Sequence, residues 1–137
     1  MKIFFDSSAF AKRYVEEPGS SAVDVLCSQA DELGISIICL PEIISALNRR
    51  LREQALSSLE YRKAKGSLAA DVRDAQVVNL LPAVIFSCIV ILESNPIRAM
   101  DALHVASAME WRADLFVSSD KRQITAAKKA GLGCKLV

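Results

Sequence analysis

Apolar residues in this chain fall into short blocks rich in Phe, Val and Ile, separated by longer stretches with helical spacing. Lys2 to Phe5 is apolar and stopped by Asp6-Ser7, the pattern of a strand buried on both faces. Ser20 or Ser21 caps a helix through Ala22, Val23, Val25 and Leu26, and Gly34 is placed to end it from the C′ position, where a left-handed residue is wanted. Ile35 to Leu40 predicts a second strand, with Pro41 in the first turn of the next helix. That helix sets Ile43, Ile44, Leu47 and Leu51 against Asn48, Arg49, Arg50, Arg52 and Glu53. Ser57 or Ser58, followed by Glu60, starts another, whose surface carries Arg62, Lys63, Lys65, Asp71, Arg73 and Asp74.

A short Val77-Val78-Asn79 piece follows. Ala83 to Glu93 gives divided signals, because Val, Ile and Cys favour strand while its length favours helix. Length decides for helix, ended before Asn95-Pro96 because a residue preceding proline avoids the α region. Ile97 to Trp111 is a helix, Leu115 to Val117 a strand, Lys121 to Ala130 a helix closed by Gly131, and Cys134 to Val137 a last strand. This alternation predicts an α/β fold with a mostly parallel central sheet of four to five strands flanked by helices on both faces. With no repeat, low-complexity tract or linker, residues 1–137 are expected to form a single domain.

Composition narrows the function classes. Seventeen Lys+Arg against 16 Asp+Glu leave a formal charge of +1, which argues against a surface given over wholly to phosphate binding and leaves local basic patches open. Cys27, Cys39, Cys88 and Cys134 form no CxxC pair and have no nearby His, so they read as reduced thiols. Leu80 to Leu92 is apolar but short of the roughly 20 residues a membrane span needs, and Pro82 interrupts it. Met1 to Phe5 runs into Asp6 without a signal-like apolar region, so a cytoplasmic protein without a membrane partner is expected.

Ligands of open α/β sheets bind beyond the carboxyl ends of the strands, which directs attention to acids there. Asp6 follows the first strand, Asp120 follows Leu115–Val117 through Ser118-Ser119, and Glu42 opens the helix after the second strand. Asp101 lies among apolar helix neighbours, so it either pairs with Arg98 or turns toward Asp6, Glu42 and Asp120, with bound metal relieving their repulsion. Oxygen donors suit Mg²⁺ or Mn²⁺, and zinc lacks its His and Cys ligands. Such a site lowers the pKa of bound water and stabilises charge on phosphate oxygens, the chemistry of phosphodiester hydrolysis.

Simpler readings stand beside this one. Asp6 is also a natural helix N-cap, Ser7 and Ser8 commonly cap or turn a chain, and His104 reads as a packed helix histidine. The arginines and lysines of 49–65 serve equally as solvated faces, whereas Lys12-Arg13 and Lys121-Arg122 lie nearer the acids and are better placed to draw in a polyanion.

Four segments stand out together: Phe4-Phe5-Asp6-Ser7-Ser8-Ala9-Phe10-Ala11-Lys12, Pro41-Glu42-Ile43-Ile44-Ser45-Ala46-Leu47, Arg98-Ala99-Met100-Asp101-Ala102-Leu103-His104-Val105-Ala106 and Phe116-Val117-Ser118-Ser119-Asp120-Lys121-Arg122. They resemble the motifs of one family, the PIN-domain nucleases, particularly VapC toxins. The resemblance covers the whole chain in order. It implies a PIN-like fold and a Mg²⁺- or Mn²⁺-dependent endoribonuclease with Asp6, Glu42, Asp101 and Asp120 as catalytic metal ligands. Ser7 or Ser8 would orient Asp6, and Ser118 stands where the family usually has Thr. It further implies an RNA substrate, a homodimer and an antitoxin, with the apolar helices Ile43–Leu51 and Ala83–Leu92 as contact surfaces. Alternatives are an RNA-processing nuclease outside a toxin–antitoxin pair, a non-catalytic PIN-like interaction module, and a small-molecule phosphatase. The last is disfavoured because Asp6-Ser7-Ser8 lacks an acid two places on.

Overall fold

A computed structural model describes residues 1–137. Five parallel strands, β1 (Lys2–Phe5), β2 (Glu32–Ser36), β3 (Gln76–Val78), β4 (Leu115–Ser118) and β5 (Gly133–Leu136), form one sheet in the order β3-β2-β1-β4-β5. Helices α1 (Ser7–Phe10), α2 (Ser20–Gln29), α3 (Cys39–Arg52), α4 (Ser58–Asp74), α5 (Pro82–Ser94), α6 (Ala99–Trp111) and α7 (Lys121–Lys129) cover it. From β1 the chain builds outward to β2 and β3, then crosses back to add β4 and β5 on the other side. The carboxyl ends of β1 and β4 therefore form the switch point of the sheet, where a crevice opens.

The pleat of the central strand divides the core. Ile3 and Phe5 point to one face and pack with Phe10, Val23, Ile35, Ile43, Leu47, Leu68 and Val117. Phe4 points to the other, with Phe116, Val84, Ile91, Val105 and Ile124. Thus α1 to α4 cover one face and α5 to α7 the other, and β1 is buried on both, as its unbroken apolar run requires. The Ser57 hydroxyl and the Glu60 carboxylate form a reciprocal capping box that starts α4. Gly131, with φ 90°, follows α7 in the left-handed conformation expected of it.

Gly34 departs from expectation. Helix α2 stops at Gln29, Ala30 is extended, and Gly34 sits inside β2 between Phe4 of β1 and Gln76 of β3. A Cβ there would lie 2.6 Å from the Trp111 ring, so glycine is required by a close approach rather than by a helix end. The second strand accordingly spans Glu32–Ser36 instead of Ile35–Leu40, and Cys39 and Leu40 already belong to α3. Propensity favoured strand for Ile37-Ile38, but the chain leaves the sheet after Ser36 to reach the first turn containing Pro41.

Helix α5 confirms that length outweighs β-branching. It buries Val84, Cys88 and Ile91 and leaves Ile85, Phe86, Ile89 and Val90 exposed. No helix is long and apolar enough to cross a membrane. All four cysteines are free.

Candidate active site

Asp6 leaves β1 in extended conformation and caps α1, so strand end and helix start share one residue. Its carboxylate accepts hydrogen bonds from the Ala9 N–H (2.9 Å), Ser8 Oγ (2.7 Å) and Ser118 Oγ (2.8 Å). Only 1% of the residue is exposed. Burial pushes the Asp6 carboxyl above its ordinary pKa, a rise tempered by His104 and by these donors. Ser118 Oγ also accepts from the Asp120 N–H at 2.9 Å, which ties the ends of β1 and β4 together.

Glu42 enters from the first turn of α3. It accepts from Ser7 Oγ at 2.7 Å and from His104 Nε2 at 2.5 Å. Burial works to raise its pKa, yet the His104 and Ser7 hydrogen bonds outweigh it and hold the carboxyl below the usual range. Asp101, in the first turn of α6, accepts from Gln123 Nε2 at 3.1 Å. Its pKa is raised, first by burial, then by the negative charge of Asp120, with smaller contributions from Glu42 and Asp6. Asp120 caps α7 through the Arg122 N–H (2.7 Å) and the Gln123 N–H (3.4 Å).

Asp101 thus feels the negative charge of the other three acids, and none of the four makes an ion pair with Lys or Arg. Arg98 does not neutralise Asp101. The family model for the PIN domain matches residues 3–129. The chain belongs to the PIN domain family. No curated protein matches the sequence. Among solved structures it is similar to VapC20 of Mycobacterium tuberculosis, described as a sarcin–ricin loop cleaving toxin (17% identity, 95% of each chain, TM-score 0.69). It is also similar to a toxin–antitoxin complex from Klebsiella pneumoniae (11% identity, 89% of each chain, TM-score 0.68). A third likeness is to VapBC2 of Rickettsia felis bound to a DNA fragment from its promoter (12% identity, 100% of this chain and 99% of that one, TM-score 0.70).

In this PIN domain the donor set fits a hard divalent cation by its chemistry, since the four groups offer carboxylate oxygens and no Lys or Arg pairs with any of them. The side chains do not already close on a single point, and no three His, Cys, Asp or Glu groups are spaced as a formed metal site. Two roles go beyond the sequence reading. Of the two serines expected to orient Asp6, Ser8 bonds it, while Ser7 supports Glu42. His104 is buried as expected, but its Nε2 also reaches Glu42, which the shared helix face of Asp101 and His104 signals. Arg13 is engaged by Asp71 (3.0 Å) and Asp24 (3.4 Å), whereas Lys12 makes no ion pair and its Nζ donates to the Pro18 carbonyl. Gln123 gave no sequence signal beyond a polar residue at an apolar helix position.

Proposed function

We propose that this PIN domain is a Mg²⁺- or Mn²⁺-dependent endoribonuclease and the toxin of a toxin–antitoxin pair. The observation that carries this is the unneutralised group of Asp6, Glu42, Asp101 and Asp120 at the switch point of the sheet. A bound divalent ion supplies Lewis acidity and an activated water. Asp6 is fixed by three donors and Glu42 by two, so both carboxylates are held in place before any substrate arrives.

RNA is the favoured substrate because one of the acids, Glu42, lines a groove that also carries basic side chains. A cavity of about 430 Å³ runs from Ser7, Ser8 and Glu42 to Lys12, Arg49 and Arg50. A second, of about 520 Å³, continues past Arg50 to Lys63. Lys121 and Arg122 line a further hollow beside the start of α7. Such groups position phosphates without reading sequence. An antitoxin partner is supported by the fold shared with a toxin–antitoxin complex. A homodimer is supported by the exposed apolar face of Ile85, Phe86, Ile89 and Val90 on α5, with Leu81 at its N-cap. A toxin that cuts RNA would act in the cytoplasm.

The test is cleavage of a structured RNA by purified protein. Activity should require Mg²⁺ or Mn²⁺, vanish in EDTA and fall in Asp101→Asn. Wild-type rates in EDTA would overturn the reading. The antitoxin assignment is checked by co-purification with the product of the adjacent reading frame, which should suppress cleavage.

A further inference from the structure

Four buried side-chain atoms lack a hydrogen-bond partner: His104 Nδ1, Ser107 Oγ, Ser119 Oγ and Gln123 Oε1. Two of them, on His104 and Gln123, belong to side chains that donate to an acid of the site. Gln123 is the more telling. It is 3% exposed on the face of α7 that also buries Ile124, Ala126 and Ala127, where an apolar side chain would pack without polar cost. One end of its amide is used, because Nε2 donates to Asp101. The other end, a carbonyl oxygen with two lone pairs, is sealed from solvent beside the acids and accepts nothing.

A half-satisfied buried amide is retained where something else completes it. The backbone of the same residue donates to Asp120, so Gln123 touches two of the four acids. Building on the reading above, we propose that Gln123 is a positioning residue of the acidic site. Its amide N–H sets the orientation of Asp101, and its carbonyl oxygen accepts a hydrogen bond from water that enters with the divalent ion. Substitution of groups that orient metal ligands commonly weakens metal binding by about 10–100-fold.

The experiment compares metal-free wild type, Gln123→Met and Asp101→Asn by Mn²⁺ titration calorimetry and thermal melting. Methionine keeps the length and removes both polar ends. Gln123→Met should melt at or above the wild-type temperature, because a buried unpaired oxygen is gone, yet bind Mn²⁺ roughly tenfold or more weakly. At saturating Mn²⁺ its kcat should be reduced with KM for RNA unchanged. A merely structural residue gives the reverse: a lower melting temperature with unchanged Mn²⁺ affinity. That result, or Mn²⁺ affinity and kcat equal to wild type, would overturn the proposal. If Gln123→Met does not fold, Mg²⁺ is added to ¹⁵N-labelled wild type instead; the Gln123 side-chain amide resonances should shift, and their failure to move while the backbone of Asp101 responds refutes the role. Wild type that takes up no Mn²⁺ at all sinks the nuclease reading itself, a separate outcome.

Discussion

Two groups of carboxylates in this molecule meet opposite fates. Asp71 on α4 accepts from Arg13 Nε at 3.0 Å and from Tyr14 Oη at 2.7 Å, with Asp24 joining the same guanidinium. Its negative charge is answered within the protein, and the result is a brace between the turn after α1 and helices α2 and α4. At the crevice, Asp6, Asp101 and Asp120 have hydroxyl, amide and backbone donors but no guanidinium or ammonium, and Glu42 meets Ser7 and His104. The fold is therefore able to pair acids with arginine, and does so where only structure is served. Where it withholds the cation, charge is left for a ligand to balance.

Replacing one acid from each group tests this contrast most severely. Asp101→Asn should lower RNA cleavage by roughly 1000-fold or more, since it removes a ligand and charge rather than shape. The same substitution should raise the melting temperature of the metal-free protein, because it relieves repulsion from Asp120, Glu42 and Asp6. Asp71→Ala should act the other way, costing about 1–2 kcal/mol after allowance for the partial exposure of its partners, with cleavage per folded molecule unchanged. Calorimetry and a gel-based cleavage assay suffice for both, and an Asp71 variant that folds but does not cut would break the comparison.

The pH dependence of stability sharpens it further. Asp6 and Asp101 bind protons more tightly in the folded chain than in the unfolded one. Their contribution is thus complete below the ordinary carboxylate pKa and is lost as pH rises through their raised folded values. Glu42, with a lowered pKa, works oppositely, losing its contribution as pH falls through its folded value. Glu42 has already given its full contribution above the ordinary carboxylate pKa, so as pH rises from there the melting temperature of metal-free protein should decline through Asp6 and Asp101, less steeply in Asp101→Asn, and Mg²⁺ should restore it. A flat profile in EDTA would contradict the assignment. The smallest expected effect concerns Cys39, whose thiol burial pushes up to about 12. Thiol reagents at neutral pH should leave it unmodified in the folded protein and cleavage intact, as mass spectrometry can show.

Much of this architecture was readable beforehand, for reasons that are themselves physical. Strand–helix alternation and acids just past the strands are local patterns, so β1, α5, α7 and the placement of Asp6 and Asp120 at one edge follow from sequence. Gly34 was misread because the helix-ending role and the close-approach role of glycine look alike until the partner, Trp111, is known from a distant part of the chain. Gln123 and the Ser7–Glu42 bond escaped for the same reason: their meaning depends on contacts across α7–α6 and α1–α3. Neither partner lies within one helical turn of the other.

The Trp111 indole lies against the backbone of β2 at Gly34, with the Lys2 ammonium 4.2 Å from its ring centre. It closes the far end of α6, about 15 Å along the helix axis from Asp101 at the opening turn. As the lone tryptophan, it gives the molecule a built-in fluorophore whose emission reports the docking of α6 on the sheet and is remote from whatever occupies the acids. Unfolding curves for variants with and without divalent ions can therefore be followed optically on one scale, with no dye or label introduced.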